Sequence, residues 1–126
     1  MNRITTVLAT VLSLAFTPVA AQDFSKGYDA YQAGDYATAL QEWTPFAEAG
    51  YADAQNNLGY MYQNGQGVLQ DNVMAHMWYN IGAANGSELG GTNRDIIAEG
   101  MTQQAIEQAQ AMARECMSSG YQNCGY

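Results

Sequence analysis

The sequence predicts an all-α fold, an α/α superhelix of about three stacked antiparallel helix pairs. Two observations carry that expectation. The chain overlays on itself after a shift of thirty-six residues: Asp35 falls on Asp71, Ala39 on Ala75, Trp43 on Tyr79, Ala47 on Ala83 and Gly50 on Gly86, while Gly27 corresponds to Gly59 at a shift of thirty-two. A period in the middle thirties, filled by helix-length segments, signifies paired antiparallel helices. The run from Ala54 to Asp71 then reads as one helix, a loop shaped by Gly65 and Gly67, and the start of a second helix. Neighbouring pairs must stack, because one pair cannot bury its apolar face alone.

Six helices are expected, at about 24–33, 36–48, 52–63, 72–85, 88–99 and 103–117. Asp35 and Asp71 suit N-caps, since a short carboxylate accepts the free amides of a first turn, and Thr102 can cap the last helix in the same way. Gly34, Gly50 and Gly86 stand where helices should stop. Pro45 falls inside the second helix and is expected to bend or split it. Gly90 and Gly91 lower the propensity of the fifth. Gly59, Ala75 and Ala83 would let backbones approach, and Leu58, Met61, Tyr62, Met74, Met77, Trp78 and Ile81 would fill the gaps. The units run about 24–50, 52–86 and 87–118, with a tail beyond them.

The first residues read as a signal peptide. Arg3 gives a positive start, residues 4–16 are mostly apolar and uncharged, Pro18 breaks the segment, and small residues precede a cut after Ala21. The apolar run falls short of the roughly 20 residues a spanning helix needs, so cleavage is expected rather than a membrane anchor. No cysteine follows the run to receive a lipid. The expected product, residues 22–126, is enough for one small domain and would reside in a periplasm or outside the cell.

All twelve acidic residues lie after residue 21, against three basic ones, Lys26, Arg94 and Arg114. A nucleic-acid binder needs the opposite balance, and an anionic lipid surface would repel this chain. A cationic partner is allowed by the charge but not required by it. Export makes a disulfide between Cys116 and Cys124 the expected state, since their spacing is not that of a redox Cys-x-x-Cys pair and no other metal ligand lies nearby.

In the third helix Leu58 and Tyr62 should point to the core, which leaves Asp53, Asn56, Tyr60 and Gln63 on another stripe. The matching stripe of the first helix is Phe24, Tyr28 and Tyr31. Aromatics interleaved with amides suit a peptide backbone or a sugar face. Sharper chemistry is not expected. Met74, His76 and Met77 could ligate copper, but methionine at helical spacing is more often core filling. A nucleophile–histidine pair would have to use His76, the one histidine, and no serine or free cysteine lies near it. The Gly65–Gly67 loop lacks the lysine of a phosphate cradle.

Leu58-Gly59, Tyr62, Gly65, Gly67-Val68, Asp71, Ala75, Trp78-Tyr79, Ala83-Ala84 and Gly86 together resemble a Sel1-like repeat, a cousin of the tetratricopeptide repeat. The first unit is the more tetratricopeptide-like, through Gly27, Gly34-Asp35-Tyr36, Ala39 and Trp43. The third is degenerate, although Asn93-Arg94-Asp95 and Met101-Thr102 resemble the closing segment of small exported members. The resemblance implies an α/α superhelix, in which the first helix of each pair lines the concave, partner-facing surface, and a role as an adaptor in protein complexes; neither catalysis nor a cofactor is expected. Some cysteine-rich relatives are linked to binding or hydrolysing cell-wall-type antibiotics, but this chain has one cysteine pair rather than one per repeat. The reading is therefore an exported module that binds a protein or peptide through Tyr28, Tyr31, Asp53, Asn56, Tyr60 and Gln63. A β-lactam-related activity or regulation of an exported protein stands as the alternative. With so few repeats, the last stacking face calls for a larger assembly or a second copy of the chain.

Overall fold

The computed structural model describes residues 23–126, so the expected signal peptide at 1–21 lies outside the described residues. Six helices and no strand occur among them: α1 (Phe24–Gln32), α2 (Tyr36–Glu48), α3 (Ala52–Asn64), α4 (Asn72–Ala84), α5 (Glu88–Ala98) and α6 (Gln103–Ser118). The caps follow the sequence. Asp35 accepts from the Thr38 amide at 3.2 Å, Asp71 from Val73 and Met74 at 2.9 and 3.1 Å, and Thr102 from Ala105 at 3.1 Å. Asp23 and Ser87 cap α1 and α5 in the same manner.

One expectation needs correcting. Pro45 does not split α2, which runs unbroken to Glu48. Proline forfeits one amide, whose helical acceptor would be the carbonyl of Gln41, an exposed residue, and the loss falls within a turn of the helix end. The fifth helix forms where expected, with its glycine pair inside it. Gly90 is there for close approach: a Cβ on it would lie 3.0 Å from the Tyr79 carbonyl oxygen, so the glycine lets α5 lie directly on α4.

The repeat shift has a physical counterpart. Gly59 lies under the Tyr79 ring, where an added Cβ would stand 2.5 Å from Tyr79 Cδ1, and Gly27 lies under the Trp43 ring in the same way. Each of the first two units is thus built on a glycine of its first helix receiving an aromatic of its second. Ala39, Trp43 and Ala47 of α2, Ala54, Leu58 and Met61 of α3, and Met74, Met77, Trp78 and Ile81 of α4 form one buried cluster. Burying each large apolar side chain contributes about 1.5–3 kcal/mol relative to leaving it exposed.

The third unit departs from the paired pattern. α6 packs extensively on α4 and shares little contact with α5, so it closes the bundle beside the core rather than as a hairpin partner. Ala113 and Cys116 of α6 join the main cluster, whereas Ile97 of α5 joins Ala75 and Tyr79 in a smaller one. The Cys116–Cys124 disulfide forms as expected and folds the tail back over α4. Tyr126 stacks on Trp78, with ring centroids 6.5 Å apart, and its hydroxyl donates to Glu48 Oε1 at 2.5 Å. Tyr121 receives Asn85 Nδ2 on its hydroxyl at 2.9 Å. Asn85 also donates to Gln55, a fully buried side chain whose Nε2 donates to the Ala47 carbonyl at 2.9 Å. That node ties the ends of α2 and α4 to the tail.

Candidate functional site

The stripes of α1 and α3 meet around an open groove of about 370 Å³, lined by Tyr28, Tyr31, Trp43, Asn56, Asn57, Tyr60, Leu89 and Asn93. Local geometry explains why the residues converge. Residues 28 and 31 share one face of α1, and 56 and 60 share one face of α3, because i, i+3 and i+4 positions line up along a helix. Trp43 forms the floor. Its ring is held by Nε1 donating to the Phe24 carbonyl at 3.0 Å and by Tyr28 and Tyr31, at centroid distances of 5.0 and 5.7 Å.

Four of the six residues singled out in the sequence come together here: Tyr28, Tyr31, Asn56 and Tyr60. Asp53 lies one turn earlier on α3 and borders a separate hollow with Phe24, Phe46, Tyr51 and Ala52. Gln63 is not among the groove-lining residues, because its side chain accepts from the buried Tyr79 hydroxyl at 2.6 Å. Burial pushes that phenol well above its ordinary range, so it stays a donor and needs the acceptor.

The structure adds residues that the stripes did not include. Leu89, 60 % exposed, and Asn93 come from α5. A signal existed: carrying the thirty-six-residue shift one unit further puts Leu89 in the register of Asp53 and Asn93 in that of Asn57. Gln66, in the glycine loop, accepts from the Tyr31 hydroxyl at 2.9 Å and braces one wall. The loop can reach there because Gly67 has φ +71°, and a Cβ on it would press to 3.0 Å from the Tyr36 carbonyl oxygen. The longer loop of the second unit therefore supports the first.

No charged side chain lines this groove. Tyr28 and Tyr60 are 43 % and 46 % exposed and offer ring faces and hydroxyls. Asn56 is largely buried, and its Oδ1 accepts from Asn93 Nδ2 at 3.0 Å. Asn57 Nδ2 is buried without a partner among the described residues. The site can therefore pair neutral amides and stack on flat or apolar groups, with little selection for charge.

The residues weighed for sharper chemistry lie elsewhere. Met74 and Met77 are core residues. His76 is only 2 % exposed, and burial together with the Arg94 guanidinium depresses its pKa, against a smaller opposite pull from Asp95. No group of three or more histidine, cysteine, aspartate or glutamate side chains is placed to hold a metal among the described residues. Nor is any described helix long and apolar enough to cross a membrane.

Against known proteins, residues 52–87 match the family model of the Sel1 repeat, which spans α3, its glycine loop and α4. Comparison of the chain with curated proteins returns no match.

Proposed function

We propose, on the premise that the chain is a Sel1-repeat protein, that it is an exported adaptor holding a peptide segment of another protein in the groove between α1, α3 and α5. Sel1 repeats generally mediate protein–protein interaction and are typically non-enzymatic scaffolds. The finer reading rests chiefly on one observation, the uncharged groove in which Asn56, Asn57 and Asn93 stand among Tyr28, Tyr31 and Tyr60. Side-chain amides match the donors and acceptors of an extended backbone, and the exposed rings receive the side chains between them. Export follows from the leader-like residues 1–21, with cleavage after Ala21, and a disulfide is the form expected of an exported chain.

The test is capture of exported proteins from the host on the immobilised protein, with the Tyr28→Ala/Tyr60→Ala variant beside it. A stoichiometric partner that the variant no longer retains, at unchanged helicity by circular dichroism, is the expected result. Equal retention by the variant rejects the groove. Retention of a glycan in place of any protein rejects the peptide.

A further inference from the structure

The second hollow on the same face has a different chemistry. Phe24, Phe46, Tyr51, Ala52 and Asp53 enclose about 380 Å³ where α1 begins and α2 gives way to α3. Phe46 sits between two rings, its centroid 5.5 Å from Phe24 at 87° and 5.3 Å from Tyr51 at 83°. Rings set at right angles present both electron-rich faces and edges to the space beside them. Tyr51 is 58 % exposed, so the hollow opens to solvent.

Asp53 supplies a carboxylate at its rim and makes no ion pair among the described residues. The basic side chains after residue 22 are placed elsewhere. Lys26 is held 2.8 Å from Glu42, Arg94 bonds Asp95 and Asn80, and Arg114 sits on α6. Aromatic faces beside an unpaired carboxylate attract an organic cation, and a guanidinium gains more than an ammonium because it both stacks and forks onto a carboxylate. The surrounding field has the same preference, since the chain carries a formal net charge of −8.

We propose that this hollow receives a cationic side chain, arginine before lysine, of the peptide whose backbone lies in the neighbouring groove, so that the partner segment is basic. The placement of that backbone rests on the groove reading above; the chemistry of the hollow does not. The two hollows share the ring row of α1, Phe24 and Tyr28 being in edge contact at 5.4 Å, one helical turn apart. One turn is about 5.4 Å along the axis, within reach of an extended arginine leaving a backbone at the level of Tyr28.

The experiment is a titration of the 15N-labelled protein with blocked Gly-Arg-Gly and with its citrulline counterpart, which keeps the shape and removes the charge. Saturable shifts at the amides of Tyr51, Ala52 and Asp53 are expected, about fivefold weaker in affinity for citrulline. Asp53→Asn should cost a similar factor for the arginine peptide and nothing for citrulline. Equal affinity for the two peptides, or no saturable shift, overturns the assignment. So does tetramethylammonium chloride binding as tightly as the arginine peptide, because a free ammonium and not a side chain would then be the ligand. Tyr28→Ala/Tyr60→Ala separates the two readings. Capture undiminished in that variant, beside a saturable arginine-selective titration of the unaltered protein, rejects only the groove; capture lost in the variant, beside equal affinity for the arginine and citrulline peptides, rejects only the cation.

Discussion

The first two units share one internal lock and put it to different uses. Gly27 receives Trp43 and Gly59 receives Tyr79, and in both cases the polar tip of the ring donates a hydrogen bond, to the Phe24 carbonyl at 3.0 Å and to Gln63 at 2.6 Å. Unit two is enclosed by α2 on one side and by α5 and α6 on the other, whereas α1 packs chiefly on α2. The ring row around Trp43 therefore remains at the surface, with Tyr28 43 % exposed, while Tyr79 is fully buried. Enclosure has a cost. Among the described residues, the three buried side-chain nitrogens without a partner, Asn57 Nδ2, His76 Nδ1 and Trp78 Nε1, belong to unit two. A repeat at the edge of a stack leaves its aromatic row partly exposed, and one in the middle spends its ring on packing.

Adding a methyl group to each lock breaks the comparison most sharply. In Gly59→Ala the new Cβ meets the Tyr79 ring at 2.5 Å, and that ring is fully buried. Overpacking of this kind costs about 2–3 kcal/mol, a large share of the stability of a small domain. In Gly27→Ala the clash is closer, 2.2 Å from Trp43 Nε1, but Trp43 lines an open groove beneath the partly exposed Tyr28 and can shift toward it, so the loss should be smaller by about 1 kcal/mol. Urea denaturation of both variants checks the order. A Gly27→Ala loss equal to or greater than that of Gly59→Ala would mean that enclosure does not distinguish the units.

The disulfide belongs to the enclosed side. It spans eight residues from Cys116 to Cys124 and holds the tail that places Tyr121 on Asn85 and Tyr126 on Trp78 and Glu48. Cys116→Ser/Cys124→Ser should lose about 2–3 kcal/mol in the chain-entropy account. Hydrogen exchange should show the loosening at α4 and α6, with α1 retaining its protection. Uniform loosening would show that the tail supports both units alike.

Much of this was legible in the sequence because it is local or periodic. Caps, stops and the thirty-six-residue shift placed the six helices to within about two residues, and helical spacing brought Tyr28, Tyr31, Asn56 and Tyr60 to one groove. What escaped depends on tertiary placement. Pro45 survives in a helix because its lost bond falls near the helix end. Gly82 looked unremarkable, yet a Cβ there would come within 3.3 Å of the Ala52 carbonyl oxygen, which makes it the point where α4 meets the start of α3. The docking of α6 on α4, and the diversion of Gln63 to Tyr79, follow from which surfaces remained to be covered, and no spacing rule encodes that.

The smallest expected effect is set by pH and again separates the units. His76 lies in unit two, and burial first, then Arg94, lowers its folded pKa below the ordinary value of 6.5, with Asp95 opposing. Above pH 6.5 both folded and unfolded chains hold a neutral imidazole, and stability is unaffected. As pH falls through 6.5 the unfolded chain takes up a proton that the folded chain resists, so stability declines until the folded pKa is passed. Between pH 7 and pH 5 the protein should therefore lose stability, with exchange at α4 and α5 rising before exchange at α1. His76→Gln should flatten that slope while leaving the carboxylate-driven loss at lower pH. An unchanged slope in the variant would place the acid sensitivity outside the enclosed unit and remove His76 from the account of what enclosure costs.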